Sequence, residues 1–143
     1  MEQIGETLTV EAPADVLWTF LLRSVEAPDT FSTDVQGAES FARVDGTHGR
    51  IVTTVLGKRT ERMEIDDARR ELTFEMIDGT PCEGRVFARV FDNPGIGNML
   101  SFLEYAAQFE PRGRGGEAMV AATLDEVREI MSAVKAGAEA TPR

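Results

Sequence analysis

Three side chains carry most of what this sequence offers in the way of chemistry. Glu6 shares one face of an alternating segment with Ile4, Leu8 and Val10. A strand there turns a carboxylate inward, where it could serve as a general acid or base. The other reading puts Glu6 near the opening of a sheet edge or against an arginine, because a buried carboxylate without a partner is costly. Tyr105 alternates with Leu103, Ala107 and Phe109. A phenol on such an apolar wall either donates a hydrogen bond to a ligand carbonyl or is a core tyrosine with a backbone partner. His48 has the side chain of a general base, but between Gly46-Thr47 and Gly49 it reads more simply as a solvated residue of a hairpin turn.

Composition removes several alternatives. The chain has one cysteine, Cys82, and one histidine. No intrachain disulfide or cysteine metal cluster can form, and a site of paired histidines plus a carboxylate cannot be assembled. No metal, nucleotide or other cofactor is indicated. The loop Arg112-Gly113-Arg114-Gly115-Gly116 could hold an anion at a helix N-terminus, but it fits no phosphate-loop pattern and reads as a connector. The formal charge is −10, and residues 1–42 hold eight acids against Arg23 alone. A chain of this sign repels phosphate backbones and anionic lipid surfaces, so neither nucleic acid nor membrane is an expected partner. With no apolar run near the ~20 residues of a membrane span and no basic-then-apolar leader, a soluble cytoplasmic protein is expected.

The elements that must position these residues follow from periodicity. At 143 residues and 42% hydrophobic, one domain over residues 1–143 suffices, with 137–143 expected as a flexible tail. A strand over Gln3–Val10 leads into a helix opened by Pro13, with Val16, Leu17, Phe20 and Leu21 at helical spacing and Trp18 at the edge of the stripe. A short helical or irregular piece surrounds Ala27–Phe31. Strands are expected over 38–45, 50–57, 60–65, 71–77, 83–91 and 99–109, with turns at Gly46–Gly49 and Gly57-Lys58. Leu72, Phe74 and Met76 alternate with polar residues and should face inward. Either parity fits 83–91, whereas Leu103, Tyr105, Ala107 and Phe109 are expected inside. A final helix over 117–136 carries Val120, Leu124, Val127, Met131 and Val134 as its stripe, with Asp125, Glu126, Arg128 and Glu129 off it.

The order strand, two short helices, six strands, long helix resembles the START-like, Bet v 1-like helix-grip superfamily, often labelled SRPBCC. Leu17-Trp18, Ala27-Pro28-Asp29-Thr30-Phe31, and Arg59-Thr60-Glu61-Arg62-Met63-Glu64-Ile65 leading into Leu72-Thr73-Phe74-Glu75-Met76 look like its AtaL-like group. The resemblance covers essentially the whole chain and implies an α+β fold: a curved antiparallel sheet of about seven strands wrapped on the C-terminal helix. Its motifs specify a fold and not a chemistry, since the superfamily includes carriers, polyketide cyclases, ring-hydroxylase domains and chaperone cofactors.

A sheet curved around one long helix tends to leave a cavity. The expected function is therefore binding of a small hydrophobic or aromatic molecule, by a carrier or sensor. Trp18, Phe31, Phe74, Met76, Tyr105, Leu124 and Met131 are the candidate lining, although aromatic and methionine residues at such spacings are commonly plain core. The alternatives are a polyketide cyclase or aromatase-like enzyme using the same cavity, with Glu6 as its catalytic candidate, and a chaperone-cofactor-like interaction module acting through the acidic N-terminal surface. Arg85 and Arg89, with Phe87 between them, form either a solvated face or a stripe on which a homodimer could assemble.

Overall fold

The computed structural model describes residues 2–43, 47–77, 81–93 and 99–142. Strand β1 (Glu2–Val10) is followed by helix α1 (Ala14–Glu26) and a single 3-10 turn (Pro28–Thr30). Six further strands follow: β2 (Val35–Ala42), β3 (His48–Thr54), β4 (Gly57–Asp66), β5 (Glu71–Ile77), β6 (Cys82–Asp92) and β7 (Ser101–Pro111). Helix α2 (Gly116–Ala140) closes the chain. The strands form one seven-stranded antiparallel sheet in the order β1-β7-β6-β5-β4-β3-β2. The long step from β1 to β7 makes β1 one edge of the sheet and β2 the other.

Alternation decides which face is covered. Leu72, Phe74 and Met76 on β5 are buried, and so are Val86, Ala88 and Val90 on β6, which settles the parity of that strand. On β7 the inward set is Leu103, Tyr105, Ala107 and Phe109. Burying side chains such as Leu103 and Phe109 fully contributes about 1.5–3 kcal/mol each. They meet α2, which lies across β7, β1 and β6 and packs against α1.

Four sequence expectations change. His48 lies in β3, paired with Ala42 on one side and Met63 on the other, and Gly49 follows it in the strand, so neither forms the expected Gly46–Gly49 turn; Gly46 lies outside the described residues. The next turn is made by Val55 and Leu56, not Gly57-Lys58, because Thr54 pairs with Gly57. These two apolar side chains are left 65% and 48% exposed. Strand β2 begins at Val35, with a register shift before Gly37. Finally, α2 continues through 137–140, where a tail was expected: Ala138 is buried and the ring of Phe20 packs on the backbone of Gly137.

The start of α2 is set by a close approach. A Cβ on Gly116 would stand 2.6 Å from the Pro81 carbonyl oxygen and 2.8 Å from Pro111 Cβ, so only glycine lets the first turn seat against the end of the sheet. Gly115 before it has φ 82°. From that anchor a helix advances ~15 Å over ten residues, which carries Glu126 to the middle of the sheet.

Candidate functional site

Beneath the middle of α2 the interior is charged. Arg50 and Glu61 are directly opposite each other on β3 and β4. Arg59 precedes Glu61 by two residues, so the strand's period of two puts both on the inward face with Met63. All four of Arg50, Arg59, Glu61 and Glu126 are buried. Arg50 Nε donates to Glu61 Oε1 at 2.6 Å and Arg59 Nε to Glu61 Oε2 at 2.9 Å. Arg59 Nη2 then reaches Glu126 Oε2 on α2 at 2.6 Å. Arg50 also spends Nη1 on the Val25 carbonyl, at 2.8 Å. That carbonyl belongs to the last turn of α1, whose final carbonyls lack helical partners and favour a cation. The Arg50 guanidinium lies 4.0 Å from the centroid of the Phe74 ring, a cation–π contact.

The two carboxylates are not equivalent. Burial pushes the Glu61 carboxyl up, but Arg50 and Arg59 outweigh it and hold the group below its ordinary value. Glu126 is raised, chiefly by burial, and the charge of Glu61 adds to that against the pull of Arg59. Arg59, between two carboxylates, is held above its ordinary value against its own burial. Among the described residues, Glu126 Oε1 is buried with no hydrogen-bond partner. Glu126 lines an interior cavity of about 30 Å³, shared with Arg50, Arg59 and Glu61 and otherwise mostly apolar, with Leu21, Phe74, Val86, Ile130 and Met131 among the lining. Such a volume exceeds the ~10–15 Å³ that a water needs.

Of the residues expected to line a cavity, Phe74 and Met131 do so. Leu124 is buried in the core and Phe31 packs against it partly buried. Trp18 Nε1 donates to Asp67 Oδ1 at 3.1 Å. Met76 Sδ lies 3.2 Å from Cys82 Sγ and borders a surface groove of about 320 Å³ with Glu75, Glu83 and Arg85. Glu6 and Tyr105 come together, since they are register partners: the phenol donates to Glu6 Oε2 at 3.0 Å. Neither lines the interior cavity. His48 is exposed. In the loop before α2, Arg112 pairs with Glu83 and Glu110. Arg85, Phe87 and Arg89 face outward, with Arg89 paired to Glu104 and stacked on Phe91.

The charged cluster is what sequence reasoning missed. Glu126 was expected off the helical stripe, but it stands in a second buried column with Met119, Thr123 and Ile130, spaced four, three and four residues apart. The spacing of Glu126 with Met119, Thr123 and Ile130 was the available signal. Among the described residues no three His, Cys, Asp or Glu side chains converge to hold a metal ion, and no helix is long and apolar enough to cross a membrane.

No family model matches the chain, and no curated protein does. Solved structures do. The Zhui aromatase/cyclase from Streptomyces sp. R1128 superposes with a TM-score of 0.77 at 20% identity, covering 96% of this chain and 93% of that one. A START superfamily protein from Mycobacterium smegmatis gives 0.69 at 12% identity, covering 96% and 97%. Norcoclaurine synthase from Thalictrum flavum, solved with a transition-state analogue, gives 0.65 at 18% identity, covering 94% and 91%. The fold is therefore the START-like, Bet v 1-like helix grip.

Proposed function

We propose that this START-like helix-grip domain is a carrier or sensor that binds a small, largely apolar molecule between its sheet and α2, with the polar end of the ligand at Glu126. One observation carries the reading: Glu126, whose buried Oε1 has no hydrogen-bond partner among the described residues, lines a cavity whose other sides are mainly apolar. A group so placed favours any guest that completes its hydrogen bonding. At about 30 Å³ the cavity is closed down, so a ligand larger than water must displace lining side chains. Met131 is suited to this, being unbranched and flexible.

A cyclase-like enzyme is the second reading. It draws support from the likeness to the Zhui aromatase/cyclase and from the raised Glu126 carboxyl beside Arg59, an arrangement able to move a proton on a held substrate. Native mass spectrometry of the purified protein, followed by denaturing extraction, tests both. A carrier yields one small molecule per chain, unchanged on incubation. An enzyme converts the extracted molecule, and Glu126→Gln binds it without converting it. An empty protein that shows no thermal shift across an apolar ligand panel sinks both readings and turns attention to an interaction module.

A further inference from the structure

We propose that the cavity selects an anionic guest, an apolar carboxylate, and takes it up together with a proton that is received by Glu126. This rests on the reading of the interior as a binding cavity and names the class of its ligand. Charge and donor count point to this guest. Arg50 and Arg59 bring two positive charges and Glu61 and Glu126 two negative ones, all buried, so the cluster is neutral when both carboxyls are ionised. An anion entering such a site adds an uncompensated buried charge, which is strongly unfavourable. One proton restores the balance.

The geometry assigns that proton. Glu61 has each oxygen on a different arginine, so protonating it breaks a charge-assisted bond. Glu126 holds Arg59 through Oε2 alone, and Oε1 has no partner among the described residues. A proton on Oε1 breaks nothing and turns the oxygen into a donor in the cavity wall, facing the guest's carboxylate. Arg59 is at the same time relieved of one of its two counter-charges and is electrostatically available to the anion. The apolar tail has Leu21, Phe74, Val86 and Ile130 to lie against.

The groups around Glu126 agree with this assignment. Arg50 comes from β3, and Arg59 and Glu61 from β4; α1 brings Leu21 and Ser24, β5 brings Leu72 and Phe74, and α2 itself brings Thr123. Cys82 on β6 interacts with Arg59 and Glu61, but burial pushes its thiol up and keeps it neutral. Glu126 is thus the group of the cluster displaced toward holding a proton, and Glu61 the one displaced away from it.

The test is titration calorimetry of the whole chain with hexanoate and benzoate against hexanamide and benzamide. Between about pH 6 and pH 9 a free carboxylate stays ionised, so any pH dependence belongs to the protein. The carboxylates should bind more tightly than their amides. Their affinity should fall as pH rises, by up to about tenfold per pH unit, with uptake of about one proton per guest in buffers of different ionisation enthalpy. Glu126→Gln, which carries a permanent donor, should bind the carboxylates with a flat pH profile; should that variant fail to fold, the proton count on the wild type decides. Amides binding as well as carboxylates would overturn the anion preference and leave the binding reading standing. Carboxylate binding by the wild type without proton uptake overturns the coupling. Binding of neither class overturns the binding reading itself, and this inference with it.

Discussion

Glu6 and Glu126 each accept a hydrogen bond from a side chain on a neighbouring strand or across the interior, yet they live under different rules. Glu6 sits on the edge strand β1, exposed, and its partner is the neutral phenol of Tyr105. Water serves its remaining lone pairs, so one bond is enough. Glu126 lies in the middle of α2, 2% exposed, where bulk water does not reach and only the protein, or a guest or water held in the small cavity, can complete its bonding. The edge of the sheet and the interior beneath α2 therefore give the same functional group a solvated hydrogen bond in one place and a buried ion pair with a raised carboxyl in the other.

The largest expected effect comes from breaking the buried side of this comparison. Arg59→Met leaves Glu126 without its cation and Glu61 with one of two, and removing one partner of a buried pair costs about 3–5 kcal/mol. Glu6→Gln at the exposed edge should cost less than about 1 kcal/mol. Urea unfolding of both variants at neutral pH compares them directly. Equal losses would mean that the interior cluster is far better solvated than its burial implies.

A smaller effect separates the two carboxylates of the cluster. Glu126 is raised from an ordinary 4.5, so its favourable contribution is complete below that value and is lost as pH rises through the folded-state value. Glu61 is lowered from 4.5, so its contribution is present above that value and is lost as pH falls. Urea midpoints between pH 4 and pH 8 should show the wild type losing stability relative to Glu126→Gln as pH climbs from the acidic end. Against Glu61→Gln the wild type should gain over its acidic part. Parallel slopes for the two variants would refute the asymmetry on which proton uptake depends.

The architecture was legible because its signals are contrasts. Leu72, Phe74 and Met76 alternate with polar residues, and Val120, Leu124, Val127 and Met131 mark one side of a helix. The cluster offers no such contrast. Arg59 and Glu61 alternate with Thr60 and Arg62, polar on both faces, so nothing local says which pair turns inward. Parity is imposed from outside, by the pairing of Arg50 with Glu61 and of Met63 with Phe74. Glu126 stands between Asp125 and Val127 of the stripe; its spacing with Met119, Thr123 and Ile130 hints at an inward position, but a charge there makes sense only once Arg59 is known to face it. The Glu6 and Tyr105 pairing was nearer to hand, since each was placed on an inward face, but the register that joins them comes from β1 and β7 lying side by side, two elements almost a hundred residues apart.

The smallest effect sharpens the edge side of the comparison. Tyr105 is the chain's single tyrosine, so alkaline difference absorbance follows this phenol alone. Its pKa is pushed up from 10 to about 12, first by burial and then by donation to Glu6 and the nearby negative charge. The stabilisation linked to it is thus complete below pH 10 and is lost as pH rises toward about 12. In Glu6→Gln the midpoint should drop but stay above the ordinary value, because the larger cause, burial, is untouched. A midpoint that fell all the way to the ordinary value, with near-ultraviolet circular dichroism showing the protein still folded, would make Glu6 the governing cause. The edge tether would then be as electrostatic in character as the interior cluster, and the difference between the two sites would lie only in their access to water.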